Sequence, residues 1–126
     1  MTFTVESYRK KSMVFEFPFT YPSLNQVNKM GWRARKKAHD EFQDQVGKHL
    51  LNPEKFEGQV KVLIDLCFKN KKRRDKDNYT PKWLLDCLVK SGIIKDDSSE
   101  FIPQAADIEF YDMEPFEKTV VKIEEL

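Results

Sequence analysis

Cysteine, histidine and glycine are scarce in this 126-residue sequence, and long apolar runs are missing. The two cysteines, Cys67 and Cys87, show neither CxxC nor CxxxC spacing, and the two histidines are scattered, which excludes a zinc site. Both cysteines lie in apolar runs, so buried reduced thiols are expected rather than a disulfide. No run approaches the about 20 apolar residues that cross a bilayer. The N-terminal "MTFTVESYRKK" has no apolar core of the signal-peptide kind. The expectation is a soluble, cytoplasmic protein without membrane contact. Repeats, low-complexity tracts and linkers are lacking too, so residues 1–126 read as one domain.

Net charge is nearly absent, at +1, but its distribution is uneven. Residues 96–126 sum to −8 and residues 1–95 to +9. A basic body with an acidic C-terminal quarter points to a polyanionic partner, an ordinary mixed surface being the other reading. Apolar residues at 40% and aromatics at 13% favour a packed core over disorder.

Several elements are legible. Phe15, Phe17 and Phe19 alternate with polar or proline positions, as in a strand, and Pro18 places it at a sheet edge or near the strand's end. "TYPSLNQVNK" reads as a loop. Ala34, Ala38, Phe42, Val46 and Leu50 form one stripe of a helix over about 33–51. Residues 59–68, "QVKVLIDLCF", read as a central strand, apolar on one face and partly so on the other. "PKWLLDCLVKSG" reads as a helix, with Pro81 in its first turn and Lys90 and Gly92 at its end. "AADIEFYDM" and "KTVVKIEE" read as a closing antiparallel hairpin. The expected fold is α+β: a mixed or antiparallel sheet of four to five strands with two main helices packed on it.

The chemistry concentrates between the central strand and the second helix. "KNKKRRDKDNYTPK" surrounds Asp75 and Asp77 with cations. Two carboxylates would repel a polyanion and each other unless a divalent cation joins them. On extended backbone, positions two apart point the same way, about 7 Å apart, so both can converge on one ion. Oxygen-only ligands suit Mg²⁺, with Mn²⁺ as a substitute. Asp86 would lie about 13 Å along a helix begun near Asp77, too far for that ion. Asp96 and Asp97 follow the helix, and the chain after Gly92 is long enough to bring either back. Lys82, near the helix start, can reach a phosphate at such a site and stabilise charge there. Each feature also has a plain reading. Asp77 or Thr80 can be a helix cap, Lys82 and Asp86 an exposed i,i+4 pair, and the basic run a solvated loop.

Together, "RRDKDNYTPKWLLDCLVKSGIIKDDS" resembles the signature of the RusA-type Holliday junction resolvases, a family of phage- and prophage-associated endonucleases. The matches are Arg73, Arg74, Asp75, Asp77, Asn78, Lys82, Asp86, Leu88, Gly92, Asp96 and Asp97. Upstream, Pro22, Ser23 and Asn25 resemble the family's P-S-x-N, and the resemblance runs over about residues 14–126. Pro81 stands as one extra residue between Asp77 and Lys82.

The resemblance implies an α+β homodimer that cuts four-way DNA junctions with Mg²⁺ in recombination and repair. Asp75, Asp77 and Asp97 would be its essential acids and metal ligands, with Asp96 as the neighbouring candidate, and Lys82 its essential lysine. Asn25, Arg33, Arg35, Lys36, Lys37, Lys71, Lys72, Arg73, Arg74 and Lys76 would contact DNA, mostly through phosphates. Two other readings stay open. One is a DNA-binding module without catalysis. The other is a metal-dependent phosphatase or nucleotidyl transferase, since DxD sites occur there too.

Overall fold

A computed structural model describes residues 10–126. The N-terminal stretch read above for a signal peptide lies almost wholly outside them. Four strands, β1 (Ser12–Phe17), β2 (Val60–Cys67), β3 (Asp107–Tyr111) and β4 (Lys118–Glu125), form one sheet in the order β1-β4-β2-β3. Three helices join them: α1 (Leu24–Asn28), α2 (Trp32–Gly47) and α3 (Lys82–Lys90). β4 runs antiparallel to both β1 and β2, and β3 runs parallel to β2. The fold is α+β with a mixed sheet, as the sequence predicts.

Alternation places one face of each strand in the core. Val60, Val62, Ile64 and Leu66 of β2 are fully buried, and Val121 and Ile123 of β4 join them. Phe42 and Val46 of α2 and Leu84, Cys87 and Leu88 of α3 close over that face. Each such side chain contributes about 1.5–3 kcal/mol of burial. The buried hydroxyl of Thr119 donates to the Phe19 carbonyl at 2.7 Å and ties β4 to the chain leaving β1. Cys67 and Cys87 are buried free thiols, as expected. Burial pushes the Cys87 thiol up to about 12. Pro18 follows the last residue of β1, which is an edge strand.

Two sequence readings are corrected. The stretch "TYPSLNQVNK" is not all loop, because α1 forms within it. A reciprocal Ser23–Gln26 capping box starts that helix: the Gln26 N–H donates to Ser23 Oγ, and the Ser23 N–H to Gln26 Oε1. β3 and β4 do not pair as a hairpin, because β2 lies between them. Alternation fixes which face of a strand is buried, not which strand is its neighbour. Thr119, Val121 and Ile123 are wholly buried, which suits β4 to an interior place. β3 buries one residue, Ile108, and suits an edge. The connection from β3 crosses the end of β2: the Phe68 N–H donates to the Tyr111 carbonyl and the Glu114 N–H to the Phe68 carbonyl. α3 lies on the crossover that the parallel β2–β3 pair requires.

Candidate active site

The basic segment leaves β2 at Phe68 and is anchored at once. The Arg74 guanidinium stacks on the Phe68 ring at 3.6 Å. It donates to Asp112 Oδ1 at 2.6 Å and to Asn70 Oδ1 at 2.7 Å. Its side chain is only 5% exposed, and its Nε is buried without a hydrogen-bond partner among the described residues. Arg74 is therefore tied into the protein, and it also borders the cleft that holds Lys72, Arg73 and Asp75. It holds the residue before Asp75 against the β3–β4 connection. Arg74→Ala is expected to cost about 2 kcal/mol in urea unfolding, through the lost ring stacking and charged hydrogen bonds. A loss under about 0.5 kcal/mol would show the anchor to be slack.

Asp75 caps a single 3-10 turn, Lys76–Asn78, so the backbone is extended at Asp75 but coiled at Asp77. The extended-segment geometry expected for the pair is not the one formed. Both carboxylates nonetheless border one cleft, with Leu24, Asn25, Lys76 and Asn78. α1 holds this turn from the other side. The Tyr21 hydroxyl donates to the Tyr79 carbonyl at 2.7 Å, and the Asn25 N–H donates to Asn78 Oδ1 at 2.9 Å. Burial raises the Tyr21 hydroxyl, with Tyr79 adding to the effect, so the phenol stays a donor.

α3 begins at Lys82, directly after Pro81. The extra proline is thus spent before the helix. Lys82 Nζ lies 3.0 Å from Asp86 Oδ1, one turn on, and 3.0 Å from Asp97 Oδ2. The i,i+4 pair and the approach to Asp97 both form at one ammonium. Hydrogen bonds donated to Asp86 and then to Asp97 hold the Lys82 ammonium above its usual range, and Lys82 holds Asp97 below the carboxylate range. Behind them, His39 Nε2 of α2 lies 3.1 Å from Asp86 Oδ2, and its ring meets the Trp83 ring edge-on. At the far end of α3, Gly92 at φ +75° allows the helix to close with its N–H on the Val89 carbonyl and that of Ile93 on Leu88. Buried Ile93 and Ile94 then fix the start of the returning chain. The Asp96 carboxylate accepts from the Asp97 N–H at 2.9 Å, so Asp96 orients its neighbour.

The four candidate ligands are not gathered around one point. Among the described residues no three His, Cys, Asp or Glu side chains stand close enough to hold one metal ion. Asp75 and Asp77 share a cleft, while Asp97 is engaged by Lys82. Two carboxylates on an open cleft still fit Mg²⁺, which keeps waters and takes substrate phosphate oxygens instead of a full protein cage. Asp96 and Asp97 complete no such set here.

The clefts connect. The one holding Asp75 and Asp77 shares Asn25, Asp75 and Asn78 with a second, which adds Gln26, Lys29, Lys72 and Arg73. It shares Leu24 with a third, bordered by Arg35, Thr80, Lys82 and Trp83. Clefts therefore adjoin around α1, and the cleft with Asp75 and Asp77 has neighbours whose linings include cations. Of the other cationic candidates, Lys71 is exposed and Lys76 lies 3.3 Å from Glu109. Arg33 stacks on Trp32, and Lys36 and Lys37 lie near Asp40 and Glu41 one turn on. Sequence reasoning did not single out Gln26, Lys29, His39 or Asp112. The capping box was the one available signal, for Gln26; the others owe their places to contacts between elements distant in sequence.

A search of curated proteins finds no match to this chain. A family model described as Endodeoxyribonuclease RusA matches residues 22–124. That span covers α1, the turn with Asp75 and Asp77, α3 and the Asp96–Asp97 return. By that match over most of its length, the chain belongs to the RusA endodeoxyribonuclease family of Holliday junction resolvases.

Proposed function

We propose that this protein is an Mg²⁺-dependent, structure-specific endodeoxyribonuclease. It resolves four-way DNA junctions by paired phosphodiester hydrolysis during recombination and repair in the cytoplasm of a bacterial or phage-infected cell. The observation that carries the proposal is the set of adjoining clefts around α1, in which Asp75 and Asp77 neighbour Lys29, Lys72, Arg73, Arg35 and Lys82. A phosphodiester strand laid across them meets Lys29, Lys72 and Arg73, the carboxylates, and Arg35 and Lys82. The cations neutralise phosphates around the cut and fix its position, and they impose a steep salt dependence. Mg²⁺, or Mn²⁺ in its place, would be held by Asp75 and Asp77 and would supply Lewis-acid polarisation of the phosphate and an acidified water.

Lys82 serves the charge on the departing or phosphorane oxygen. Its ammonium is held by Asp86, one turn into α3, and by Asp97 on the chain that returns after the helix. Arg74 and the α1 contacts anchor the turn that carries Asp75 and Asp77. A two-fold homodimer would provide the second site that symmetric cutting requires.

The direct test is a labelled mobile four-way junction incubated with the purified protein. Paired nicks with Mg²⁺ or Mn²⁺, and none with a chelator, are expected. Binding without cutting under every metal condition would leave a DNA-binding module instead. Turnover of small phosphate esters by a monomer would favour a phosphatase.

A further inference from the structure

Lys82 carries its ammonium on a flexible four-carbon stem, and its side chain is 65% exposed. An exposed i,i+4 pair alone holds such a group weakly. Asp86, however, is itself held from a second helix. Its Oδ1 takes Lys82 Nζ at 3.0 Å, and its Oδ2 faces His39 Nε2 of α2 at 3.1 Å. With both oxygens engaged from different directions, the carboxylate cannot turn without losing one partner.

The proton on the His39 ring can be placed. Gln43 Oε1 accepts from Lys90 Nζ at 3.2 Å, so the amide nitrogen of Gln43 is the end that faces the ring, 3.5 Å from His39 Nε2. One ring nitrogen cannot donate to Asp86 and accept from Gln43 at once. The carboxylate is nearer and charged, so Nε2–H donates to Asp86. The ring is seated as well as bonded. It meets the Trp83 ring edge-on at 5.2 Å, and buried Phe42 of the same helix packs on Trp83 at 5.8 Å. A line of polar contacts thus runs from α2 through α3 to the returning chain: His39, Asp86, Lys82, Asp97.

We infer that His39 is a positioning residue of the proposed reaction: through Asp86 it holds the Lys82 ammonium in the place from which it serves the reacting phosphate. His39 lies outside the D-x-D-N and D-D motifs and lines none of the three clefts around α1. Its effect is indirect, but a displacement of about 1 Å at a reacting group can cost about 100-fold in rate. The inference rests on the nuclease reading above, and adds to it the contact that fixes its lysine.

Two variants separate the hydrogen bond from the packing. His39→Gln loses the ring but keeps a donor nitrogen within reach of Asp86, whereas His39→Phe keeps a ring against Trp83 and loses the donor. In single-turnover cleavage of a mobile four-way junction with Mg²⁺, His39→Phe is expected to be about tenfold slower than the wild-type chain, and His39→Gln within about threefold of it. Junction affinity by gel shift should change less than about twofold in both. On top of Lys82→Met, His39→Phe should cause no further loss, because no ammonium is left to place. A readout without cutting is the Lys82 side-chain nitrogen resonance, assigned by its absence in Lys82→Met. It should move in His39→Phe and stay in His39→Gln.

Wild-type cutting by His39→Phe would overturn the inference, and so would an unmoved Lys82 resonance in that variant. A His39→Gln slower than His39→Phe would do the same, assigning the residue to packing on Trp83. Equal losses from His39→Phe with and without Lys82 would make it a general support of the fold instead. Failure of the wild-type protein to cut any junction with Mg²⁺ or Mn²⁺ would withdraw the nuclease reading, and the role of His39 with it.

Discussion

Asp75→Asn is expected to bind a four-way junction at least as tightly as the wild-type chain and to nick it at least about 100-fold more slowly. The substitution keeps the size and one carbonyl oxygen of the side chain but removes its charge. Loss of a partner that merely orients a metal ligand lowers affinity or activity 10–100-fold, and removing a ligand should exceed that. DNA affinity moves the other way, because one carboxylate fewer faces the phosphates. Folding should hardly change. Asp75 is exposed, and its carbonyl, which accepts from the Asn78 N–H at 2.9 Å, is retained. Single-turnover cleavage and a gel-shift titration, run on one preparation, separate the two quantities. Wild-type cutting by Asp75→Asn would remove this residue from the chemistry.

Lys82→Met carries the second large effect. Cutting is expected to fall about 100- to 1,000-fold, the cost of removing one charge-stabilising donor from a reaction centre. Stability should move by no more than about 1 kcal/mol, because the pairs with Asp86 and Asp97 are largely exposed on the lysine side and are screened by water. The two readouts, a cleavage rate and a urea transition, divide a catalytic lysine from an ion pair that only ties α3 to the returning chain. The hydrogen bonds that Lys82 donates to Asp86 and Asp97 raise it above its ordinary 10.5, so the ammonium persists through neutral and mildly alkaline assays. The rate should therefore show no limb from this group as pH rises to about 9. A variant that cuts normally would leave Lys82 a structural residue.

The adjoining clefts also explain why carboxylates sit inside a cationic segment. Lys29, Lys72 and Arg73 line the cleft that Asp75 also borders, and Arg35 and Lys82 line one that shares Leu24 with the cleft of Asp75 and Asp77. Attraction for the strand is spread over these clefts, while the acids occupy one place among them. The cost of two negative charges beside phosphate is confined to the place where a divalent cation would offset it.

The sequence by itself determined the α+β class, the buried face of β2, the start and end of α3 and the residue types of the clefts. These follow from local periodicities and caps, which a strand or helix carries within its own length. It also held the D-x-D-N and D-D motifs from which the family was read. Only the tertiary structure decided that β2 lies between β3 and β4, since alternation marks a buried face and is blind to neighbours. It turned Arg74 inward onto Phe68 and Asp112, joined His39 to Asp86 across two helices, and drew Asp97 to Lys82. Those partners stand 15 to 47 positions apart in the chain, apart from the Arg74–Phe68 stack. Their meeting depends on how α2, α3 and the sheet pack, a sum of many small burial terms that no single segment contains.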